Sequence, residues 1–212
     1  MIDYNKKMEK ELGDLPLSPK PKLLLHICCG PCSSYVLERL EKYFDITAYF
    51  YNPNIYPEDE YSRRLNEVKE FYKKFPQAKD VSIIETDYVI KEYFDAIEVL
   101  DHLEIELDKE KGERCRRCYK FRMEKAYNYA KENKFDYFCT SLSISPHKDS
   151  EKINIIGEEI EKNNPDGPKW LYSDFKKESG FLRSLEISKE YNLYRQDYCG
   201  CIYSFERFIK LL

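Results

Sequence analysis

From Lys22 onward the chain alternates short apolar runs with longer amphipathic stretches, and this restricts the folds open to it. Residues 22–28 (KLLLHIC) read as a buried strand closed by Gly30-Pro31. Ser33 or Ser34 is placed to cap a helix running through Leu40. Residues 44–51 and 81–86 read as the second and third strands, with a helix over 58–75 between them. Helices are expected over 87–107 and 115–131, then a fourth strand over 135–144 and a helix from Asp149 or Ser150 to 162. A short fifth strand (170–173), a helix (183–191) and an amphipathic turn (202–211) complete the pattern. Strands alternating with helices need crossover connections, so the expectation is an α/β domain with a Rossmann-like parallel sheet and helices on both faces. Residues 22–212 form one such domain in this reading, and residues 1–21 an N-terminal extension.

Charge and hydropathy narrow the function classes. Lys and Arg number 35 against 39 Asp and Glu, a net charge of −4, so nothing global advertises a nucleic-acid binder. Any RNA contact has to use a local basic patch. Hydrophobic residues make up 42% and aromatics 15%, which argues against disorder. No apolar run approaches the roughly 18–20 residues of a membrane span. The first 21 residues are charged and carry no apolar signal region. A soluble, cytoplasmic protein is expected.

Eight cysteines in a reducing compartment point to metal or redox chemistry rather than to structural disulfides. They are grouped: Cys28, Cys29 and Cys32; Cys115 and Cys118; Cys199 and Cys201. Cys139 stands alone in an apolar strand and reads as a small core residue. Cys115 and Cys118 lie one turn apart at a helix start, where the dipole favours thiolate. That spacing suits zinc, an iron–sulfur cluster or a dithiol equally. Cys28 and Cys29 are adjacent at a strand end, where side chains diverge, so one small tetrahedral zinc site uses both with difficulty. A cubane is larger. Two ligands from Cys28 and Cys29 with two from Cys115 and Cys118 make the all-cysteine set of four for [4Fe–4S], with Cys32 able to replace either of the first two. Cys199 and Cys201, around Gly200, can form a reducible disulfide or bind a second metal. His26 reads as a core residue, and His147, after Pro146, as a contact for substrate or proton.

The segments LLLHICCGPCSSYVLERL, ERCRRCYKFRMEKA, TSLSISPHKD and YRQDYCGCIYS together resemble the QueH family of epoxyqueuosine reductases. They occur in the family's order and span residues 23–204. The resemblance implies a PP-loop or HUP-type α/β fold that lacks the phosphate loop of PP-loop proteins, whose place is taken here by Cys28-Cys29-Gly30-Pro31-Cys32. It also implies two-electron reduction of epoxyqueuosine in tRNA to queuosine. Residue by residue, Cys28, Cys29, Cys115 and Cys118 would hold a [4Fe–4S] cluster. Cys199 and Cys201 would be the redox-active pair or contribute to an adjacent mononuclear iron. The expected partners are tRNA carrying epoxyqueuosine and an electron donor of unspecified identity. The basic run Arg114, Arg116, Arg117, Lys120, Arg122 and Lys125 is the candidate phosphate surface, with Arg116, Arg117 and His147 as substrate contacts. Two other readings stand beside it. A cluster-dependent tRNA sulfur transferase would need an ATP loop, and a zinc-stabilised RNA-binding module would leave Cys28-Cys29 unexplained.

Overall fold

The computed structural model describes residues 2–16, 18–99, 101–106 and 108–210. Its centre is a five-stranded, all-parallel sheet in the order β3-β2-β1-β4-β5. The strands are β1 (Lys22–His26), β2 (Asp45–Phe50), β3 (Ser82–Glu85), β4 (Tyr137–Thr140) and β5 (Lys169–Trp170). Leu23, Leu24 and Leu25 in β1 are wholly buried, as expected of a central parallel strand covered on both faces. Complete burial of each such side chain contributes up to about 2 kcal/mol.

Around the sheet lie α1 (Tyr4–Gly13), α2 (Gly30–Leu40), α3 (Glu58–Tyr72), α4 (Ile90–Ile97), α5 (Glu113–Glu132), α6 (Ser150–Lys162), α7 (Gly180–Glu190) and α8 (Ile202–Ile209). They form two packed groups, α2 with α3 and α7, and α5 with α4 and α6. Met8 and Leu12 of α1 are buried in the same core as the sheet, so the N-terminal segment contributes to that core. Asp3 caps α1 by accepting from the Lys6 amide.

Several expected boundaries move, each for a local reason. The first helix of the sheet begins at Gly30 rather than beyond Ser33, because the Cys29 sulfur takes the cap and accepts from the Cys32 amide at 3.3 Å. The helix expected over 87–107 ends at Ile97, where Glu98 turns left-handed at φ 52°; Leu107 itself lies outside the described residues. The fourth strand stops at Thr140 and continues as a short 3₁₀ turn, Ser141–Ile144. The last helix is described to Ile209, and the expected end at residue 211 lies outside the described residues.

The order 3-2-1-4-5 reverses direction between β1 and β4. In open sheets of this kind, ligands bind outside the carboxyl ends of the strands at that reversal. There the loop after β1 carries Cys28 and the loop after β4 carries Ser145 to Lys148.

Candidate active site

A cavity of about 540 Å³ opens at this switch point. Cys28 and Cys32 line it from the β1 end, Ser145, Pro146, His147 and Lys148 from the β4 end, and Arg195 to Cys199 from the tail. Four cations (Lys109, Lys148, Arg195 and Arg207) line it against two carboxylates, Glu110 and Asp197. A chain of net negative charge therefore presents a locally positive mouth.

Starting helix α2 inside the cysteine motif has a chemical result. The ligand atoms of Cys28, Cys29 and Cys32 all lie within 4.8 Å of one another. The Cys28 and Cys29 sulfurs are 3.9 Å apart. Hydrogen bonds from Cys29 and Cys32, together with the charges of Arg122 and Arg64, hold the Cys28 thiol well below its usual range against the opposing effect of burial. Burial and the neighbouring Cys28 push Cys29 up to about 12. Cys32 is likewise raised, chiefly by its bonds to Cys28 and Cys29. Of the three sulfurs, Cys28 is thus the one favoured as thiolate, beside a helix N-terminus. Gln196 also donates to the Cys29 sulfur at 3.5 Å, which ties the tail to this group.

Two buried guanidiniums stand behind the sulfurs. Arg64 is held by Glu60 at 2.7 Å, and its Nη2 is buried without a partner. Arg122 donates to Asn52, whose amide in turn donates to the Ile27 carbonyl at 2.9 Å; Arg122 Nε is buried and unpartnered. The Arg122 charge acts on Cys28, Cys118 and Cys199 alike. Compact thiols, with buried and unmet cationic donors acting on them, fit a thiolate-bound metal centre of net negative charge.

Cys115 and Cys118 open α5 as expected, and all eight cysteines are free thiols. Cys115 packs with Cys28 and Cys32 against the main core, whereas Cys118 is buried with Cys201, Tyr93 and Ile97 in a second apolar cluster. Among the described residues, neither Cys115 nor Cys118 joins the compact Cys28, Cys29 and Cys32 group. Burial raises the Cys118 thiol. Cys199 goes the other way: a hydrogen bond from Cys201 and the Lys148 ammonium hold it well below its usual range, although burial opposes them. Lys148 is only 8% exposed and its Nζ contacts the Cys199 sulfur. Neither Lys148 nor Arg64 stood out in the sequence, because each acquires its role from partners distant along the chain.

The remaining sequence candidates are placed as follows. His26 is fully buried between Thr140 Oγ1 (2.8 Å) and the Tyr51 carbonyl (3.1 Å), and burial lowers its pKa to about 3. Cys139 is a core thiol donating to the Leu171 carbonyl at 3.4 Å, pushed up to about 12 by burial. His147 lies on the cavity wall, 3.8 Å from Glu110. The basic run on α5 is largely committed. Arg114 is buried on the carbonyls of Ile105, Glu106 and Asp108, and Arg122 is buried as described. Arg116 and Arg117 both pair with Glu113, at 2.7 and 3.2 Å, and Arg117 also with Glu98 at 2.8 Å. The Glu113 carboxyl is accordingly held down to about 2 by those bonds. Among the described residues, no helix is long and apolar enough to cross a membrane.

A family model described as epoxyqueuosine reductase QueH matches residues 23–207. A protein of that name from Streptococcus pyogenes serotype M1 is 44% identical over 189 residues, 88% of this chain and 71% of its own length. Another, from Staphylococcus aureus, is 37% identical over 206 residues, covering 96% of this chain and 84% of the relative. A third, from Haemophilus influenzae, is 40% identical over 203 residues, or 95% and 78% of the two chains.

Proposed function

The chain belongs to the QueH family of epoxyqueuosine reductases, and on that footing we propose how its residues divide the work. It is an oxidoreductase that reduces the epoxide of epoxyqueuosine, carried in tRNA, to the alkene of queuosine. The observation that carries the residue assignment is the single cavity onto which Cys28, Cys32, Lys148 and Cys199 all open.

Cys28 and Cys29 with Cys115 and Cys118 are the proposed ligands of a [4Fe–4S] cluster, with Cys32 the substitute. Support comes from the thiolate character of Cys28, from Cys115 packing in the same core as Cys28, and from the Arg122 charge acting on both Cys28 and Cys118. When bound, such a group supplies single electrons and, at an iron with an open position, a Lewis acid for a C–O bond.

Cys199 and Cys201 are the proposed redox pair, with binding of an adjacent mononuclear iron as their alternative use. Opening an epoxide to an alkene consumes two electrons and two protons and releases water. Two thiols passing to one disulfide deliver that quantity, and the external electron donor then restores them. Lys148 keeps Cys199 as thiolate while presenting an ammonium to the cavity, and His147 is the second proton carrier on the same wall. Arg116 is more exposed than Arg117, at 41% against 19%, and is the better placed of the two to meet tRNA phosphate.

Anaerobic purification followed by iron, sulfide and zinc analysis tests the cofactor assignment, alongside conversion of epoxyqueuosine-containing tRNA. About four irons and four sulfides per chain are expected, with queuosine formed when a reductant is supplied. Stoichiometric zinc without acid-labile sulfide would overturn the cluster.

A further inference from the structure

Three aromatic side chains line the cavity: Phe181, Tyr198 and Phe208. Two of them are already occupied. Tyr198 and Phe208 stack on each other at 5.9 Å, Tyr198 also meets Phe205 at 5.2 Å, and its hydroxyl donates to the Tyr56 carbonyl at 2.6 Å. Among the described residues, Phe181 pairs with no other ring. Its partner is instead the guanidinium of Arg195, 5.7 Å from the ring centroid.

Both halves of that pair are held from behind. Arg195 Nη1 donates at 3.1 Å to the hydroxyl of buried Ser188, which itself donates to the Ser184 carbonyl at 2.6 Å. Among the described residues, no carboxylate lies within ion-pair distance of Arg195. Phe181 follows two non-glycine residues in left-handed conformation, Glu178 and Ser179, at φ 50° and 64°. Gly180 between them and Phe181 is packed so closely that a Cβ would fall 2.0 Å from the Phe175 carbonyl oxygen. Strained backbone of this kind persists where surroundings over-determine it, and it fixes where the ring is presented.

We propose that Phe181 and the Arg195 guanidinium are the two faces of a clasp that takes the nucleobase of the target nucleotide, which rests on the reading above that the substrate is tRNA-borne. Two van der Waals spacings require about 7 Å between planes. The guanidinium carbon now lies 5.7 Å from the ring centroid, and Arg195 is exposed, so an outward turn that releases Ser188 opens the remaining space for a base. Bases in single-stranded RNA are read in this way, splayed out and stacked on an aromatic ring or a guanidinium plane. Phe181 and Arg195 line the same cavity as Cys28, Cys32 and Cys199, and Gln196, next to Arg195, donates to the Cys29 sulfur, so a base held there lies beside the cysteines. Phe181 and Arg195 are thus substrate-positioning residues.

The test uses the iron-loaded enzyme with tRNA carrying epoxyqueuosine, and an anticodon stem–loop with 2-aminopurine at the target nucleotide. Stacking quenches the emission of 2-aminopurine. Phe181→Leu is expected to weaken tRNA binding on the order of 10- to 100-fold, seen in KM and in loss of the quench. Iron content should stay unchanged. Phe181→Tyr retains the ring and should restore both. Arg195→Lys keeps the charge but loses the plane, so it should behave like Arg195→Gln, with the salt dependence of binding unaltered. A wild-type KM and quench in Phe181→Leu, or full restoration by Arg195→Lys, would overturn the clasp. Should the wild type quench the stem–loop yet fail to reduce the epoxide, with the quench lost in Phe181→Leu, the clasp stands and the assigned reaction falls.

Discussion

The ammonium of Lys148 rests on the sulfur of Cys199, two residues 51 positions apart that meet in the wall of the cavity. A cation held there keeps the thiol ionised, after the larger contribution of the Cys201 hydrogen bond. Lys148→Met is therefore expected to raise the Cys199 pKa. In reduced, chelator-treated protein, the pH at which alkylation of the Cys199 peptide reaches half its maximal rate, followed by mass spectrometry, should move upward. An unchanged midpoint would show that Cys201 alone sets the thiolate.

Cys118→Ala should lose the bound iron and lower the melting temperature, since metal binding adds to folding free energy. Cys139→Ala should keep its iron and activity, at a cost of about 1 kcal/mol for a small core void. Cys32→Ala is the informative third variant. Iron retained there assigns the ligands to Cys28 and Cys29; iron lost makes Cys32 one of the four.

Gly157 of α6 meets the ring of Trp170 in β5, and a Cβ there would lie 2.2 Å from the indole. Gly157→Ala should destabilise by about 1–3 kcal/mol through overpacking. The chain has one tryptophan, so its emission reports the disturbance directly. An unaltered spectrum and midpoint would mean that α6 sits farther from β5.

Glu11 on α1 has its pKa raised to about 7, first by burial and then by Glu161. A carboxyl raised in the folded state stabilises fully below its unfolded value near 4.5, and that contribution fades as pH rises through 7. Glu11→Gln should thus melt higher than wild type at pH 8, with the difference closing by pH 4.5. Parallel melting curves at both pH values would refute the assignment.

The sheet was legible because β1 is three consecutive leucines, all wholly buried, and because strands and helices alternate to its end. Helix α1 was not. Its residues 4–13 set Tyr4, Met8 and Leu12 on one face among six polar residues and a glycine, a narrow stripe that was read as an extension without the surface it covers. The start of α2 was misplaced because a cysteine is an unusual cap, and only the structure shows Cys29 in that role. The grouped cysteines could be picked out as chemistry. Which of them approach one another depends on loop geometry, and the α5 arginines read as a phosphate surface until Glu113, Glu98 and the Ile105 carbonyl claimed them.

The place of β1 in the sheet also bears on how the chain emerges from the ribosome. Its first neighbour, β2, follows within about twenty residues, but its second, β4, is distant: 114 residues separate His26 from Thr140. At 5–20 residues per second, one edge of this leucine-rich strand waits roughly 6 to 23 s for its partner. During that interval the nascent chain shows a bare, apolar strand edge to its surroundings. Chaperone dependence during synthesis is the expected result, checked by the yield of soluble protein from translation with and without added chaperone.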